Sequence, residues 1–310
     1  MRRILITGGA GFVGGSLADA LVSEPDNFVV IVDDCSTGSK TKLPSKEFTN
    51  WKFIKCDVNN YADISAIMFS HKFDYVFHYA AVVGVQRTLD NPTYVLKDID
   101  GIKNILDLCK NTGVKRVFYS SSSEVYGESV EYPQDEISTP LNSRLPYAVV
   151  KNVGEAFCTS YKQEFDLDYT IFRFFNTYGV KQSNDFVMSR FLESALKGED
   201  ITVHGDGSQS RTFCYVDDNI AATTACLYQD YYLNDVVNIG SGVETTILEL
   251  AETIIKMTNS TSKIIHIPAR EEGDMPRRCP NTDRMDILLQ RELIPLEEGV
   301  RRLIESGKFG

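Results

Sequence analysis

The chain has 310 residues, 43% of them hydrophobic and 24% charged, a composition typical of globular proteins and not of disordered or fibrous ones. At about 150 residues per domain, this length predicts two domains, or one domain with a large annex. The 43 acidic and 32 basic side chains give a net charge of −11, which argues against general binding of nucleic acid or anionic lipid. An anionic ligand would therefore depend on a few local Arg or Lys residues.

The cysteines and the N-terminus exclude further classes. The seven cysteines are widely spaced without a Cys-x-x-Cys pair, and the four histidines are scattered. This pattern predicts reduced thiols in a cytoplasmic protein and no metal site. The apolar run after Met-Arg-Arg stops at Thr7, which is too short for a signal peptide, and no stretch approaches the ~18–20 apolar residues of a membrane span.

Apolar runs alternate with helical patterns through the first half of the chain. The predicted strands are 4–6, 28–32, 51–54, 75–78, 114–119 and 169–174, and the clearest helical patterns start near 11 and cover about 92–110 and 146–165. Continuous apolar strands are typical of a parallel sheet that is covered on both faces. We therefore expect an α/β fold with a doubly wound parallel sheet, the Rossmann architecture.

The second half has a mixed pattern. Helices are predicted near 187–196, 217–227, 247–257 and 296–304, and strands near 201–203 and 236–239. No internal repeat or long linker separates the two halves. We expect a smaller mixed α/β domain that packs tightly on the first, with a cleft between them.

A glycine-rich turn follows the first predicted strand. Gly8, Gly11 and Gly14 form a G-x-x-G-x-x-G pattern that opens a helix near Gly11, and Phe12 and Val13 are further candidates for cofactor binding. Glycines at these positions permit a tight turn, close approach of the backbone to a pyrophosphate, and close packing of helix on strand. The phosphates would then lie at a helix N-terminus, where free N–H groups favour an anion.

Acidic residues at the ends of the next two predicted strands extend this motif. Asp33 ends the second strand at the usual distance from the glycines, where a carboxylate hydrogen-bonds the ribose 2′-hydroxyl and repels a 2′-phosphate. NAD is therefore favoured over NADP. Asp57, with Val58 beside it, follows the third strand and is a candidate for contact with the adenine. A strand-end carboxylate facing water is the alternative for Asp57.

A Tyr-x-x-x-Lys pair lies at the start of the predicted helix 146–165. Tyr147 and Lys151 are four residues apart, which puts them on one helix face. A tyrosine has a pKa near 10, and lowering it by ~3 units requires about 4 kcal/mol from nearby positive charge. The Lys151 ammonium and a cationic nicotinamide could provide this, so that the phenolate takes a hydroxyl proton as hydride leaves to NAD⁺. This pair alone is common by chance.

Further motifs accompany this pair. They are Ser121–Gly127 after the fifth strand, and the segments 33–38, 78–81, 173–179 and 205–213. Together with the glycine turn they make the chain resemble the extended short-chain dehydrogenase/reductase family, in particular its nucleotide-sugar epimerases, dehydratases and decarboxylases. The resemblance covers nearly the whole chain. It implies that Ala80 and Ala81 lie under the nicotinamide.

The resemblance also implies roles for individual side chains. Tyr147 would remove the proton of a sugar hydroxyl, usually at C4, while Lys151 would tune Tyr147 and hold the nicotinamide ribose. Ser122 would hydrogen-bond the same hydroxyl. The nucleotide diphosphate would contact Asn176, Arg211 and one of Arg277 or Arg278, with Arg277 as the candidate. A solvated basic pair is the alternative for these last two arginines.

Ser123 and Glu124 bear on the fate of the 4-keto sugar. The resembling 4,6-dehydratases carry a glutamate at the second position, preceded by an aspartate that protonates the leaving hydroxyl. Ser123 is a poor proton donor, and this disfavours dehydration. The Ser-Glu pair is closer to decarboxylases, whose substrate has a C6 carboxylate, and 4-epimerases usually carry threonine in place of Glu124. The alternative for Glu124 is a structural role, in which its carboxylate caps a backbone N–H.

The first expectation for the net reaction is epimerisation or release of the 4-keto sugar, as in heptose-type 4-dehydrogenases of capsule synthesis. Decarboxylation comes next and 4,6-dehydration third. A catalytically inactive NAD-sensing regulator is the rival from another class. The intact set of Ser122, Tyr147 and Lys151 argues against it.

Two positions depart from the resembling pattern. Asp98 stands where an asparagine is usual, and this alters a contact near the cofactor. Arg87 ends an unusually apolar loop and could bind a substrate carboxylate or hydroxyl, with a surface position at the entrance of the next helix as the alternative.

The motifs also set the expected domain boundaries. Residues 1–175 would form the NAD-binding domain, to which the chain returns at 217–242, and residues 176–216 and 243–310 would bind the nucleotide sugar. The resemblance further implies a homodimer or dimer of dimers, in which the helices at about 92–110 and 146–165 pair with their copies.

Overall fold

A computed structural model describes residues 1–84, 88, 90–128, 131–269 and 277–309. The strands in chain order are β1 (Arg2–Thr7), β2 (Asn27–Asp33), β3 (Trp51–Lys55), β4 (Tyr75–His78), β5 (Arg116–Ser122), β6 (Asp168–Phe174), β7 (Thr177–Tyr178), β8 (Ile201–His204), β9 (Ser210–Thr212), β10 (Cys214–Tyr215), β11 (Asp235–Ile239), β12 (Glu244–Thr246) and β13 (Ile264–Ile267).

The helices in chain order are α1 (Phe12–Val22), α2 (Tyr61–His71), α3 (Pro92–Leu96), α4 (Asp98–Thr112), α5 (Pro146–Phe165), α6 (Val187–Lys197), α7 (Val216–Tyr228), α8 (Ile247–Thr258), α9 (Asp283–Leu289) and α10 (Leu296–Glu305). Short 3₁₀ turns cover Lys40–Lys42 and Ser123–Tyr126.

Seven parallel strands form the central sheet, in the order β11-β6-β5-β4-β1-β2-β3. The chain runs outward in one direction from β1 through β2 to β3, then returns to β4 on the other side of β1. The strand order therefore reverses between β1 and β4, and ligands of open α/β sheets bind at the carboxyl ends of the strands at such a point. The predicted doubly wound α/β fold is confirmed.

The apolar core has two layers, one on each face of the sheet. In β1, Ile4 and Ile6 join one cluster while Leu5 joins the other, because successive side chains of a strand point to opposite faces. Helices α1 and α7 pack together, and α4 packs between α2 and α5. Burial on both faces explains why the strands read as continuous apolar runs.

The second half adds three small two-stranded sheets. Strand β8 pairs with β13 and β7 with β10, both in parallel, and β9 pairs antiparallel with β12. Helix α8 starts at a capping box, in which the Thr246 hydroxyl accepts the Glu249 N–H and the Glu249 carboxylate accepts the Thr246 N–H. These elements, with β11 at the edge of the central sheet, complete the C-terminal part.

The helix predicted over about 92–110 is wrong in one respect, because the structure divides it at Lys97 into α3 and α4. The Lys97 N–H bonds to the carbonyl of Tyr94, and the Asp100 N–H bonds to that of Lys97. Both bonds reach back three residues, so the helical turn tightens at Lys97. The predicted strand 114–119 corresponds to β5, which starts two residues later, at Arg116. Gly113, with a φ of 76°, ends α4 just before it.

None of the helices in the described parts of the chain is long and apolar enough to cross a membrane. All seven cysteines are free thiols.

Candidate active site

The glycine turn between β1 and α1 has no room for a Cβ at two of its glycines. Gly8 has a φ of 69°, and a Cβ there would lie 2.6 Å from the backbone nitrogen of Ala80. A Cβ on Gly14 would lie 2.4 Å from the carbonyl oxygen of Gly8. Helix α1 begins at Phe12 without a side-chain cap or an acidic residue in its first turn. Its first N–H groups, including those of Phe12 and Val13, are therefore suited to hold an anion.

The Asp33 carboxylate is fixed at the carboxyl end of β2. One oxygen accepts the Ala10 N–H at 3.0 Å, and the other accepts the Cys35 N–H at 2.8 Å. Burial raises the pKa of Asp33, and these two hydrogen bonds oppose the rise. A Cβ on Gly38 would approach the carboxylate to 2.6 Å, so the following loop closes around it. This carboxylate lies beside the glycine turn, as recognition of an adenosine ribose requires.

The remaining candidates for cofactor binding also follow strands of the central sheet. Asp57 and Val58 come after β3; the Asp57 carboxylate is exposed, apart from accepting the Asn59 N–H at 2.9 Å, and Val58 is buried. Ala80 and Ala81 come after β4, where the Ala80 N–H donates to the Thr7 hydroxyl at 3.1 Å. The turn has no room for a Cβ at Gly8 or Gly14, the N-terminus of α1 has no side-chain cap, and carboxylates follow the neighbouring strands. These features fit NAD.

Tyr147 and Lys151 lie in the first turns of α5, next to the end of β5. Lys151 is 4% exposed, and its ammonium donates to the Ser120 carbonyl at 2.6 Å and to the Ser120 hydroxyl at 3.3 Å. Its Nζ is 5.8 Å from the centroid of the Tyr147 ring. Burial lowers the pKa of Lys151 to about 8, and the charge of Asp98 opposes this.

The protein alone does not favour the phenolate of Tyr147. Burial raises the pKa of Tyr147, a hydrogen bond with Ser122 lowers it, and Glu124 and Asp98 raise it further. Ser122 ends β5 and accepts the Glu124 N–H at 3.2 Å. The sequence-based expectation of a lowered pKa therefore depends on added positive charge at this place.

Glu124 forms a largely buried ion pair with Arg278. The two nitrogens at the tip of the guanidinium each donate to one carboxylate oxygen at 2.5 Å. The side chain of Arg278 is 8% exposed, and its Nε is buried without a hydrogen-bond partner in the described part of the chain. Its Nη1 lies 3.5 Å from the Ser123 hydroxyl. The Nε edge of the Arg278 guanidinium and the Ser123 hydroxyl are therefore not used by the ion pair, and both lie beside Ser122 and Tyr147.

Arg277, the arginine preferred on sequence grounds, pairs with a different carboxylate from Arg278. Its guanidinium donates to both oxygens of Glu244, at 2.9 and 2.5 Å, and covers the ring of Tyr132 at 4.5 Å. About half of its side chain is exposed. The motif left a choice between two neighbours, and the structure directs Arg278 toward Glu124 and Arg277 toward Glu244.

The other candidates for substrate binding are spread over three segments. Asn176 follows β6, and its side-chain nitrogen is buried without a partner among the described residues. Arg211 lies in β9, with Nη1 donating to the Ser210 carbonyl at 2.7 Å. Arg87 lies outside the described residues. An unpaired amide donor such as that of Asn176 is suited to a ligand oxygen.

A buried polar network lies behind β5 and was not anticipated from the sequence. Arg173 on β6 donates to both oxygens of Glu155 on α5, at 3.0 and 2.7 Å, and the Ser121 hydroxyl donates to the same carboxylate at 2.5 Å. Arg173 also donates to the Tyr126 hydroxyl at 2.9 Å, which in turn donates to Asn238 on β11 at 2.8 Å. The network fixes the strand that carries Ser122 relative to the helix that carries Tyr147.

The segment that carries Arg278 is tied to the rest by backbone bonds. The Gln134 N–H donates to the Cys279 carbonyl at 2.7 Å, and the Asn281 N–H donates to the Gln134 carbonyl at 2.7 Å. Asn238 of β11 also donates to the Gln134 carbonyl, at 2.9 Å. These bonds hold Arg278 over the end of β5.

Comparison with known proteins agrees with this geometry. Residues 4–240 match the family model described as the NAD dependent epimerase/dehydratase family. A UDP-N-acetyl-alpha-D-glucosaminuronate decarboxylase from Bacillus cytotoxicus is 34% identical over 98% of this chain and 97% of its own.

Two solved structures are also similar over nearly their whole length. The UDP-glucose 4-epimerase of Thermotoga maritima, solved with UDP-glucose, has a TM-score of 0.92 and 29% identity, and the match covers 99% of this chain and 98% of that one. The UDP-glucuronic acid 4-epimerase of Bacillus cereus, solved with UDP-glucuronic acid and NAD, has a TM-score of 0.87 and 28% identity, covering 98% and 99%. The resemblance drawn from the motifs is confirmed: this chain belongs to the NAD-dependent epimerase/dehydratase family of extended short-chain dehydrogenase/reductase enzymes.

Proposed function

We propose that this enzyme oxidises the C4 hydroxyl of a UDP-hexuronate and that its net reaction is decarboxylation. The observation that carries this choice is the ion pair of Glu124 with Arg278 beside Ser122 and Tyr147. The sequence alone put epimerisation or release of the 4-keto sugar first. The ion pair changes the order, because it gives the site a feature that a neutral sugar does not need.

The pair of Glu124 and Arg278 suits a substrate that carries a carboxylate and loses it. The Nε of Arg278 and the Ser123 hydroxyl can donate hydrogen bonds to carboxylate oxygens. Glu124 already neutralises the guanidinium, so these donors would orient the carboxylate without stabilising its charge strongly. A full ion pair with the substrate would retard the loss of CO₂, since the carboxylate charge disappears in that step.

The remaining roles follow from the geometry of α5 and β5. Tyr147 takes the proton of the C4 hydroxyl, and Ser122 holds that hydroxyl in place. Lys151, supported by Ser120, provides positive charge under Tyr147. NAD, when bound in the glycine turn with Asp33 on its ribose, supplies the hydride acceptor and a positive charge that favours the phenolate. The nucleotide diphosphate is proposed to contact Asn176, Arg211 and Arg277. The cofactor is proposed to contact Asp57, Val58, Ala80 and Ala81.

Oxidation at C4 explains why decarboxylation needs no further reagent. A ketone at C4 makes the C6 carboxylate part of a β-keto acid. The C5–C6 bond then breaks, its electron pair moves into an enolate on C4 and C5, and CO₂ leaves. Protonation at C5 and return of the hydride to C4 give a UDP-pentose. Glu124 is poorly placed to remove a C5 proton for 4,6-dehydration, because Arg278 engages both of its oxygens.

Epimerisation at C4 of the same class of substrate is the second candidate. It is favoured by the similarity to the UDP-glucuronic acid 4-epimerase of Bacillus cereus. In that reaction the substrate keeps its carboxylate. The 4-keto sugar rotates in the site, so that the hydride returns to the opposite face of C4. The two reactions share the roles of Tyr147, Lys151 and Ser122 and differ in the fate of C6.

One experiment separates these reactions. The purified enzyme is given UDP-glucuronate and UDP-N-acetylglucosaminuronate labelled with ¹³C at C6, with UDP-glucose and UDP-galactose as substrates that lack the carboxylate. Decarboxylation predicts labelled CO₂ and a UDP-pentose in the NMR spectrum. A C4 epimer that retains the label establishes the second candidate instead. Turnover of only the uncharged sugars would refute a uronate substrate.

We also propose a domain division and an assembly. Residues 1–175 with 217–242 would bind NAD, and 176–216 with 243–310 would bind the nucleotide sugar, in a cytoplasmic homodimer or dimer of dimers. The exposed side chains of Val149 and Phe165 on α5 support pairing of this helix with a second copy. Sedimentation as a monomer at micromolar concentration would contradict the assembly.

A further inference from the structure

Asp98, the first residue of α4, is a buried carboxylate on the helix that packs against α5, which carries Tyr147 and Lys151. It is 8% exposed, and its Oδ2 accepts the Val82 N–H at 2.7 Å. Val82 follows Ala80 and Ala81 in the loop after β4. One hydrogen bond replaces only part of the solvation that a buried carboxylate loses, and buried charges are as a rule both hydrogen-bonded and paired. An ionised Asp98 therefore requires a balancing cation nearby.

Lys151 is the cation whose charge acts on Asp98. The charges of Asp57 and Asp34 raise the pKa of Asp98, and that of Lys151 lowers it. Burial is the main cause of the raised pKa of Asp98. In return, burial lowers the pKa of Lys151 and the charge of Asp98 raises it. Helix α4 packs directly on α5. The groups that the two side chains bond also lie close together, because Val82 follows β4 and Ser120 lies near the end of β5, the strand paired with β4.

Within the described residues, the other groups around Lys151 provide no negative charge. Its Nζ lies 5.3 Å from the centroid of the Tyr119 ring, and burial raises the pKa of Tyr119, which therefore stays neutral. His78 stacks on Tyr119, and burial lowers its pKa to about 3, so it is neutral as well. Tyr147 is protonated in the resting protein for the same reason of burial. Ser120 contributes oxygen dipoles without charge.

We propose that Asp98 is a positioning residue that balances the buried charge of Lys151 and keeps the ammonium protonated beneath Tyr147. The hydrogen bond from Val82 holds the carboxylate in place and links it to the loop after β4. An asparagine in this place would accept the same hydrogen bond but leave Lys151 as a buried cation without a counter-charge. The effect of Lys151 on proton removal by Tyr147 rests on the proposed function. The balance of charge between Asp98 and Lys151 does not depend on it.

The direct test measures the protonation of Lys151 itself. The enzyme is labelled with ¹³C at the lysine ε-carbons, and the Lys151 resonance is assigned by its loss in Lys151→Met. Its titration midpoint is then compared between the native protein, Asp98→Asn and Asp100→Asn. Asp100 is an exposed carboxylate in the same helical turn, so its variant is the matched control. We expect Asp98→Asn to lower the midpoint by about one pH unit and Asp100→Asn to leave it unchanged.

An unchanged midpoint in folded Asp98→Asn overturns the proposal. If that variant does not fold, the reciprocal measurement applies, because a coupling between two sites acts equally in both directions. Lys151→Met should then raise the pKa of Asp98, followed through its ¹³C-labelled carboxyl carbon, and an unchanged pKa is again contrary. Full turnover by Tyr147→Phe would refute the proposed base without affecting either titration.

Discussion

Arg278 donates two hydrogen bonds of 2.5 Å to the carboxylate of Glu124, a residue 154 positions earlier in the chain. The bonds join the segment after residue 276 to the end of β5, next to Ser122. Planar guanidinium and carboxylate groups fit each other in this two-point arrangement, and lysine cannot reproduce it. The pair therefore fixes both the position of the Arg278 donors and the distance between the C-terminal segment and the central sheet.

The first prediction concerns this arginine. Arg278→Lys keeps a positive charge but loses one of the two bonds and the edge that carries Nε, so we expect a loss of about 10²-fold or more in kcat. Arg301→Lys is the control, because Arg301 forms an exposed ion pair with Glu298 on α10. Release of CO₂ from UDP-glucuronate is measured for both. Equal rates for the two variants would contradict a role for Arg278 in the reaction.

The second prediction concerns the base. Tyr147→Phe removes only the hydroxyl, which hydrogen-bonds Ser122, so the fold and the cofactor should be retained. A positioned general base contributes about 10²–10⁴-fold to the rate, and we expect a loss in that range. Bound NAD is measured by its release in acid, as a check that the variant remains loaded. Full turnover with normal NAD content would exclude Tyr147 as the base.

The third prediction concerns pH and follows from the burial of Lys151. Its pKa is about 8 in the folded protein and about 10.4 in an unfolded chain. Between these values the unfolded state binds more protons, so the contribution of Lys151 to the free energy of unfolding rises with pH and is constant below about 8. The rise is about 3 kcal/mol.

Urea unfolding at pH 7, 8, 9 and 10 measures this effect. Lys151→Met lacks the group and should show a flatter dependence on pH above 8 than the native protein does. Lys162→Met, at a partly exposed lysine on the same helix, serves as the comparison. Parallel curves for Lys151→Met and the native protein would contradict the assigned pKa.

The features that the sequence predicted correctly join residues on one helix or on consecutive elements of the chain. The glycine turn and Asp33 lie on consecutive elements, and Tyr147 and Lys151 lie on one helix, so regular spacing was enough to bring them together. Arg278 could not be assigned in this way, because a choice between two neighbouring arginines depends on the fold of a loop. The division of the predicted helix 92–110 was missed for a related reason: the apolar stripe continues across Lys97, while the backbone hydrogen bonds there reach back three residues instead of four.

The network behind β5 could not have been predicted either. It joins Ser121, Glu155, Arg173 and Asn238, which come from four separate elements. Arg173 and Asn238 lie on predicted strands and Ser121 lies in a motif, but no spacing in the sequence pairs them with one another or with Glu155. Only the parallel register of β5, β6 and β11 brings them to one buried place.

The fourth prediction tests the glycine turn. Gly14→Ala would put a Cβ 2.4 Å from the Gly8 carbonyl oxygen, so α1 must move away from β1. We expect loss of bound NAD and a destabilisation of about 1–3 kcal/mol, as for other overpacked sites. Gly242→Ala is the control, since its Cβ would meet its nearest neighbour at 3.6 Å. Retention of NAD by Gly14→Ala would contradict the cofactor site.

The fifth prediction concerns the buried ion pair of Arg173 with Glu155. Removing one partner of a buried pair leaves the other charge uncompensated, which costs about 3–5 kcal/mol. We therefore expect Glu155→Gln to lower the free energy of unfolding by an amount in this range. Glu193→Gln is the matched control, because Glu193 pairs with Lys197 on the surface of α6, where such pairs contribute at most about 1 kcal/mol. Urea unfolding at pH 7 measures both, and a loss below about 1 kcal/mol for Glu155→Gln would show that the network does not hold β5 against α5.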